Sequence, residues 1–370
     1  MHRVGVLIGV AVLVGLLVGA GVDLASVHHN EPMTLVRVSE AEARNAVCND
    51  GTPATYYFRR GQGTGIRRWV IHLQGGGMCY SIATCQQRSV NMPRLMTSKG
   101  LPPTRIGSGV QSPSAYDNPD FFNANHVYVH YCSSDLWSGD RQATAESGGW
   151  HFRGARIVRA VIDDLMNPAI TPSPNLADAT EVLFSGGSAG GAGVMANLDW
   201  VTERLPHATV RGLNDAGWAV DIRPYESSIP SFLDQTQQGY ALWQGVVDTS
   251  CAAANPGTEG RCYTEYAYPH ISTPLFVQQA QFDGAILRLL GVVPPFDDKE
   301  RAYMLEFAAA VRRSLEPVLA AFSPATATHS IVTNEQFWNL RIAGYSLRDV
   351  VGNWFFGRPG PIKLIEQKSP

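Results

Sequence analysis

Glu181-Val182-Leu183-Phe184-Ser185-Gly186-Gly187-Ser188-Ala189-Gly190-Gly191 runs a short β-prone apolar segment into a serine flanked by glycines, and a helix-forming segment, Gly190 to Leu205, follows. The five residues from Gly186 to Gly190 fit G-x-S-x-G. A tight strand-to-helix turn needs neighbours without bulk, and it lifts the serine hydroxyl to a helix N-terminus, where backbone N–H groups stabilise negative charge. Ser188 is therefore the candidate nucleophile. Two plainer readings compete: a serine that only caps the helix, and a glycine-rich phosphate loop. No Lys follows and the chain has no G-x-x-x-x-G-K-[ST], which weakens the second.

Working outward, Arg68 to Leu73 is β-rich and ends in Gln74-Gly75-Gly76-Gly77, and His126 to Cys132 leads into Ser133-Ser134-Asp135. Further strands are expected at Thr209 to Leu213 and Pro274 to Gln281. Helical patterns cover Arg153 to Met166, Gly190 to Leu205 and Tyr303 to Phe322. Strands alternating with helices predict an α/β fold with a mainly parallel sheet flanked by helices, and ligands in such sheets bind beyond the carboxyl ends of strands. The stretches 89–120 and 221–269, rich in Pro, Ser and Gln, read as excursions over that edge.

A serine nucleophile needs a base, and in this kind of sheet the chain order is serine, acid, histidine. His329 is the one histidine after Asp283, and Asp283 follows the apolar run Pro274 to Phe282, where an orienting carboxylate belongs. Asp297 and Asp298 are rival acids in a Pro-rich loop; Asp215 comes early in the chain. Either residue alone would read as a solvated Asp or a loop His. For the oxyanion, Ala189 supplies an N–H by position, and Gly76 and Gly77 offer others because absent side chains let backbone approach a substrate.

The chain has 370 residues, 45% hydrophobic and 16% charged, enough to bury a large core and too apolar for disorder. Its net charge of −3 gives no basic excess for a nucleic acid. From Val4 to Val22 it is continuously apolar or glycine after Arg3, which reads as export: residues 1–30 are expected to be a cleaved leader or an N-terminal membrane anchor, with Val18 and Ala20 as the small residues of a cleavage site. Residues 31–370 would then form one catalytic domain. Six cysteines in an exported chain suggest disulfides. Fifteen pairings exist; Cys79–Cys85 and Cys251–Cys262 lie close in sequence, which leaves Cys48–Cys132. No C-x-x-C pair or H-x-x-x-H helix accompanies them, so neither metal nor cofactor is expected. His126, His130, His207 and His270 read as structural.

These residues resemble the pectin acetylesterase family, which includes the Notum-type carboxylesterases. His72 to Cys79 resembles the family's glycine-rich oxyanion segment, His151 to Ile157 is similar to the plant members, and Tyr131 to Gly139 is closer to the Notum branch. Ser185 to Gly191, Asp215-Ala216-Gly217-Trp218 and Gln281-Phe282-Asp283 fit as well, so the match spans most of the chain after Cys48. The resemblance implies an α/β-hydrolase fold, metal-free ester hydrolysis, a Ser188–His329–Asp283 triad and the same three disulfides. Two departures stand out. Members commonly carry Trp in the glycine loop where this chain has Gly77 and Met78, and their cysteines near the triad histidine are absent here.

The first functional reading is an exported, monomeric serine esterase that removes acetyl from an acylated polysaccharide such as pectin. The second is removal of a longer fatty acyl group from a lipidated protein or lipid ester, and a third, of another class, is a carbohydrate-binding protein without catalysis. Met78, Trp218 and Phe282 are the expected pocket residues.

Overall fold

The computed structural model describes residues 31–367; the expected leader lies outside them. Its strands are β1 (Met33–Arg37), β2 (Thr55–Arg59), β3 (Arg68–Leu73), β4 (Thr104–Arg105), β5 (Asn125–Val129), β6 (Glu181–Gly187), β7 (Thr209–Asp215), β8 (Leu275–Gln278), β9 (Ala320–Ser323), β10 (Arg341–Ile342), β11 (Tyr345–Ser346) and β12 (Lys363–Ile365). The helices are α1 (Ile82–Asn91), α2 (Gly154–Met166), α3 (Ala189–Arg204), α4 (Phe232–Trp243), α5 (Thr249–Ala254), α6 (Gly284–Leu289), α7 (Asp298–Ser314), α8 (Gln336–Asn339) and α9 (Leu347–Phe356). Ten strands make one sheet in the order β12-β9-β8-β7-β6-β3-β5-β2-β1-β4. From β12 to β5 all neighbours are parallel; β5-β2-β1-β4 is an antiparallel edge.

The central strands read as unbroken apolar runs because both their faces are buried. Val182, Phe184, Val277 and Ala321 join the core shared with α2, α3 and α7. Their alternates Leu183, Leu213, Phe276 and Phe322 join a second core with Phe337, Val350, Val351 and Phe355 of α8 and α9. Period-two alternation thus divides one sheet between two layers of helix. Among the described residues no helix is long and apolar enough to cross a membrane.

Three expectations differ from the structure. The helix expected over Tyr303 to Phe322 is α7, ending at Ser314, and its apolar tail is strand β9. Pro317 between them cannot continue a helix, and a short buried apolar run suits either element. The helix also starts earlier, at an Asp297–Glu300 capping box. The segment before Arg68, for which no strand is expected, contains the edge strands β1 and β2, and the excursion 221–269 contains α4 and α5.

Disulfides join Cys48 to Cys132, Cys79 to Cys85 and Cys251 to Cys262. The first closes 84 residues and ties the start of the fold to the segment following β5.

Candidate active site

Ser188 follows β6 directly and stands as N-cap of α3 at φ 54°, ψ −119°, a conformation that a residue with a side chain seldom adopts. The glycines around it are dictated by crowding. A β-carbon on Gly190 would lie 2.0 Å from the Leu73 carbonyl oxygen, and one on Gly186 would lie 2.1 Å from that of Gly190. The strained turn therefore nests between β3 and its own helix. Ser188 N–H donates to the Asp215 carbonyl at 2.7 Å, which pins the turn to the end of β7. Among the described residues its hydroxyl makes no side-chain hydrogen bond; catalytic contacts are often loose until substrate arrives.

The glycine loop after β3 crosses this turn. The β position of Gly75 is 2.9 Å from Ser188 Cβ, and that of Gly76 (φ 146°) is 2.8 Å from Leu95 Cδ1. Gly77 (φ 70°) is exposed, with Arg88 Nη1 3.7 Å from its β position. Among the described residues the N–H groups of Gly76 and Gly77 have no backbone acceptor. Ala189, as the first residue of α3, has none within its helix. These are the three expected oxyanion donors: Ala189 follows Ser188 directly, and Gly76 and Gly77 continue the loop whose Gly75 packs against Ser188 Cβ.

Asp283 follows β8 and is fully buried. As N-cap of α6 its Oδ1 accepts N–H from Ala285 and Ile286 at 3.0 and 3.1 Å. Its Oδ2 accepts from Gln279 Nε2 at 3.1 Å and lies 2.7 Å from His329 Nδ1. A carboxylate only accepts, so Nδ1 carries the proton and Nε2 is left as a base. Burial lowers the basicity of the ring, but the hydrogen bond and charge of Asp283, with the further charge of Asp215, outweigh it, and the pKa is raised above the ordinary imidazole value. The rival acids do not approach: Asp297 caps α7, and Asp298 is the helix's first residue.

The segment carrying His329 has no disulfide and is held by hydrogen bonds. Phe282 and Gly284 N–H donate to the Thr326 and Ala327 carbonyls at 3.2 and 3.1 Å. Ala325 N–H donates to Glu366 Oε2 at 2.9 Å, and Gln281 Nε2 donates to the Ser323 and Glu366 carbonyls. Beyond the histidine, Ser330 Oγ lies 3.3 Å from the β position of Gly187, so the base loop touches the serine turn.

Of the expected pocket residues, Met78 is partly buried beside Gly77. Phe282 belongs to the core at 3% exposure. Trp218, also at 3%, turns to α7, where its Nε1 donates to Ser314 Oγ at 2.9 Å. With Tyr266, Tyr268 and Arg313 it lines a lateral groove of about 450 Å³ that does not include Ser188. Sequence reasoning weighed Asp215 only as an early acid and missed its contact with the segment after His329, where its fully buried carboxylate accepts two backbone N–H groups. The signal was present, a carboxylate closing an apolar strand, as at Asp283. Among the described residues no group of three or more His, Cys, Asp or Glu is arranged to hold a metal ion.

The chain is similar to known proteins. The palmitoleoyl-protein carboxylesterase NOTUM of Drosophila melanogaster is 37% identical over 316 residues, 83% of this chain and 46% of that protein. The human protein of that name is 34% identical over 326 residues, 84% and 64%. The chain thus spans about half to two thirds of the length of these relatives. A solved structure of the Drosophila Wnt deacylase Notum superimposes with a TM-score of 0.83 at 33% identity, covering 92% of this chain and 97% of that one. The sequence model of the pectinacetylesterase family matches residues 26–370. The chain belongs to the pectinacetylesterase family and has its α/β-hydrolase fold.

Proposed function

We propose that the protein is a serine carboxylesterase that removes O-acyl groups through an acyl-enzyme, with Ser188 as nucleophile, His329 as base and Asp283 as the residue that orients it. The observation that carries this reading is the 2.7 Å contact of His329 Nδ1 with buried Asp283, on a loop that packs against the serine turn. Ser188 Oγ attacks the ester carbonyl carbon while His329 Nε2 takes its proton. The oxyanion so formed accepts N–H from Ala189, Gly76 and Gly77; losing one such donor costs roughly 3 kcal/mol in the barrier. The imidazolium then protonates the departing alcohol, and water, deprotonated by the same nitrogen, releases the acid and restores the serine.

For the substrate, the family's description favours acetyl on a polysaccharide. A second reading, a longer acyl chain, is favoured by relatives named as palmitoleoyl-protein carboxylesterases. It is also favoured by Leu95 against Gly76 and half-exposed Met92 nearby, apolar surface beside the oxyanion loop. Turnover of p-nitrophenyl acetate, butyrate, decanoate and palmitate separates the two. Activity confined to acetate and butyrate rejects the long chain; activity rising toward palmitate rejects acetyl. Loss of all turnover in Ser188→Ala, with thermal stability kept, tests the mechanism itself. The three disulfides support work outside the cytoplasm.

A further inference from the structure

We propose that Asp215 is a positioning residue of this site, holding the nucleophile turn and the base loop in one register; the inference rests on the triad reading above. Its main-chain carbonyl accepts Ser188 N–H at 2.7 Å, while its carboxylate accepts Ile331 N–H on Oδ1 and Val332 N–H on Oδ2, each at 3.0 Å. Those amides follow His329 by two and three residues. Between them and the histidine, Ser330 sits in the left-handed region at φ 53°, and its hydroxyl points to the Asp215 carbonyl at 3.5 Å. A left-handed residue followed by successive N–H groups makes a concave anion seat, and here the occupant is a side chain of the same protein. Two strained serines, 188 and 330, are thereby fixed by one residue. Such conformations persist only where the surroundings over-determine them.

The choice of Asp is telling. The group is fully buried, and among the described residues no Lys, Arg or His forms a salt bridge with it. Burying a carboxylate without a cation is costly, and burial raises its pKa to about 6 against the opposing pull of the Val332 and Ile331 N–H groups and of His329. An Asn would accept one of the two N–H groups and present its own N–H₂ to the other. Only a carboxylate satisfies both amides, and its charge also bears on His329. The charged groups bearing on that ring are Asp283, from the turn after β8, and Asp215, from the end of β7.

The test compares Asp215→Asn with the parent on p-nitrophenyl acetate, with active serines counted by fluorophosphonate titration. The expected result is a fall of about 10- to 100-fold in kcat per active serine, KM changed less than about threefold, and the acid limb of kcat/KM moved to lower pH because a negative charge near His329 is gone. A purely structural role would instead lower the number of titratable serines and leave the per-site rate and the limb alone; that outcome overturns the proposal. Should the variant not fold, hydrogen exchange on the unmodified protein decides: the Ile331 and Val332 amides should be protected and lose protection as pH falls through about 6. Free exchange at neutral pH overturns it. Ser188→Ala that still turns over ester removes the triad reading itself, whereas an inactive Ser188→Ala beside a normal Asp215→Asn removes this inference alone.

Discussion

His329 Nδ1 and Asp283 Oδ2 stand 2.7 Å apart, the carboxylate wholly buried and the imidazole side chain one-quarter exposed. A base must face substrate with one nitrogen and protein with the other, and this pair divides burial in that way. Asp283→Asn should reduce kcat by about 10³- to 10⁴-fold through the wrong tautomer. Asp297→Asn, which exchanges one good helix cap for another, should leave kcat unchanged and stability within about 0.5 kcal/mol. Equal losses in the two variants would refute the acid assignment.

The charge around the ring fixes a pH dependence. His329 works as a base only when neutral, and its pKa is raised because Asp283 and Asp215 outweigh burial. Activity should therefore be lost as pH falls through a value above about 6.5, the ordinary imidazole value. A kcat/KM profile flat down to pH 5 would contradict this.

Crowding at the serine turn leaves no room for a methyl group. Gly190→Ala and Gly186→Ala should each destabilise the fold by about 3 kcal/mol, the upper end of overpacking costs, seen as a lowered Tm or as failure to accumulate. Gly63→Ala, whose β position meets nothing within 4 Å, should lose little beyond the strain of its positive φ.

Loop length ranks two of the disulfides. Replacing Cys48 and Cys132 by Ser frees a closed loop of 84 residues and should cost about 4–5 kcal/mol; replacing Cys79 and Cys85 frees six and should cost about 2. Denaturant midpoints of the two double variants check the order.

Much of this was legible in the chain. Strands β3, β6 and β7 announced themselves as apolar β-prone runs closed by glycines or a carboxylate, and crowding explains why the residues of G-x-S-x-G had to be small. What escaped reading depends on distance. β9 looked like the end of a helix because only the neighbouring strands β8 and β12 make four small and aromatic residues extended. Asp215 binds amides 116 and 117 residues away, and nothing near it in sequence marks those partners. Trp218 follows the turn after β7, yet its ring turns to α7, a choice set by Ser314 and Tyr268 rather than by its neighbours in the chain.

The latch made by Glu366 just after β12 has a consequence for biogenesis. On the ribosome Ser188, the proposed nucleophile, is synthesised nearly 180 residues before the carboxylate that holds the segment leading to His329. That hydrogen bond can form only after β12 has been made and has paired with β9, so the segment leading to His329 is among the last parts of the sheet region to be tied down.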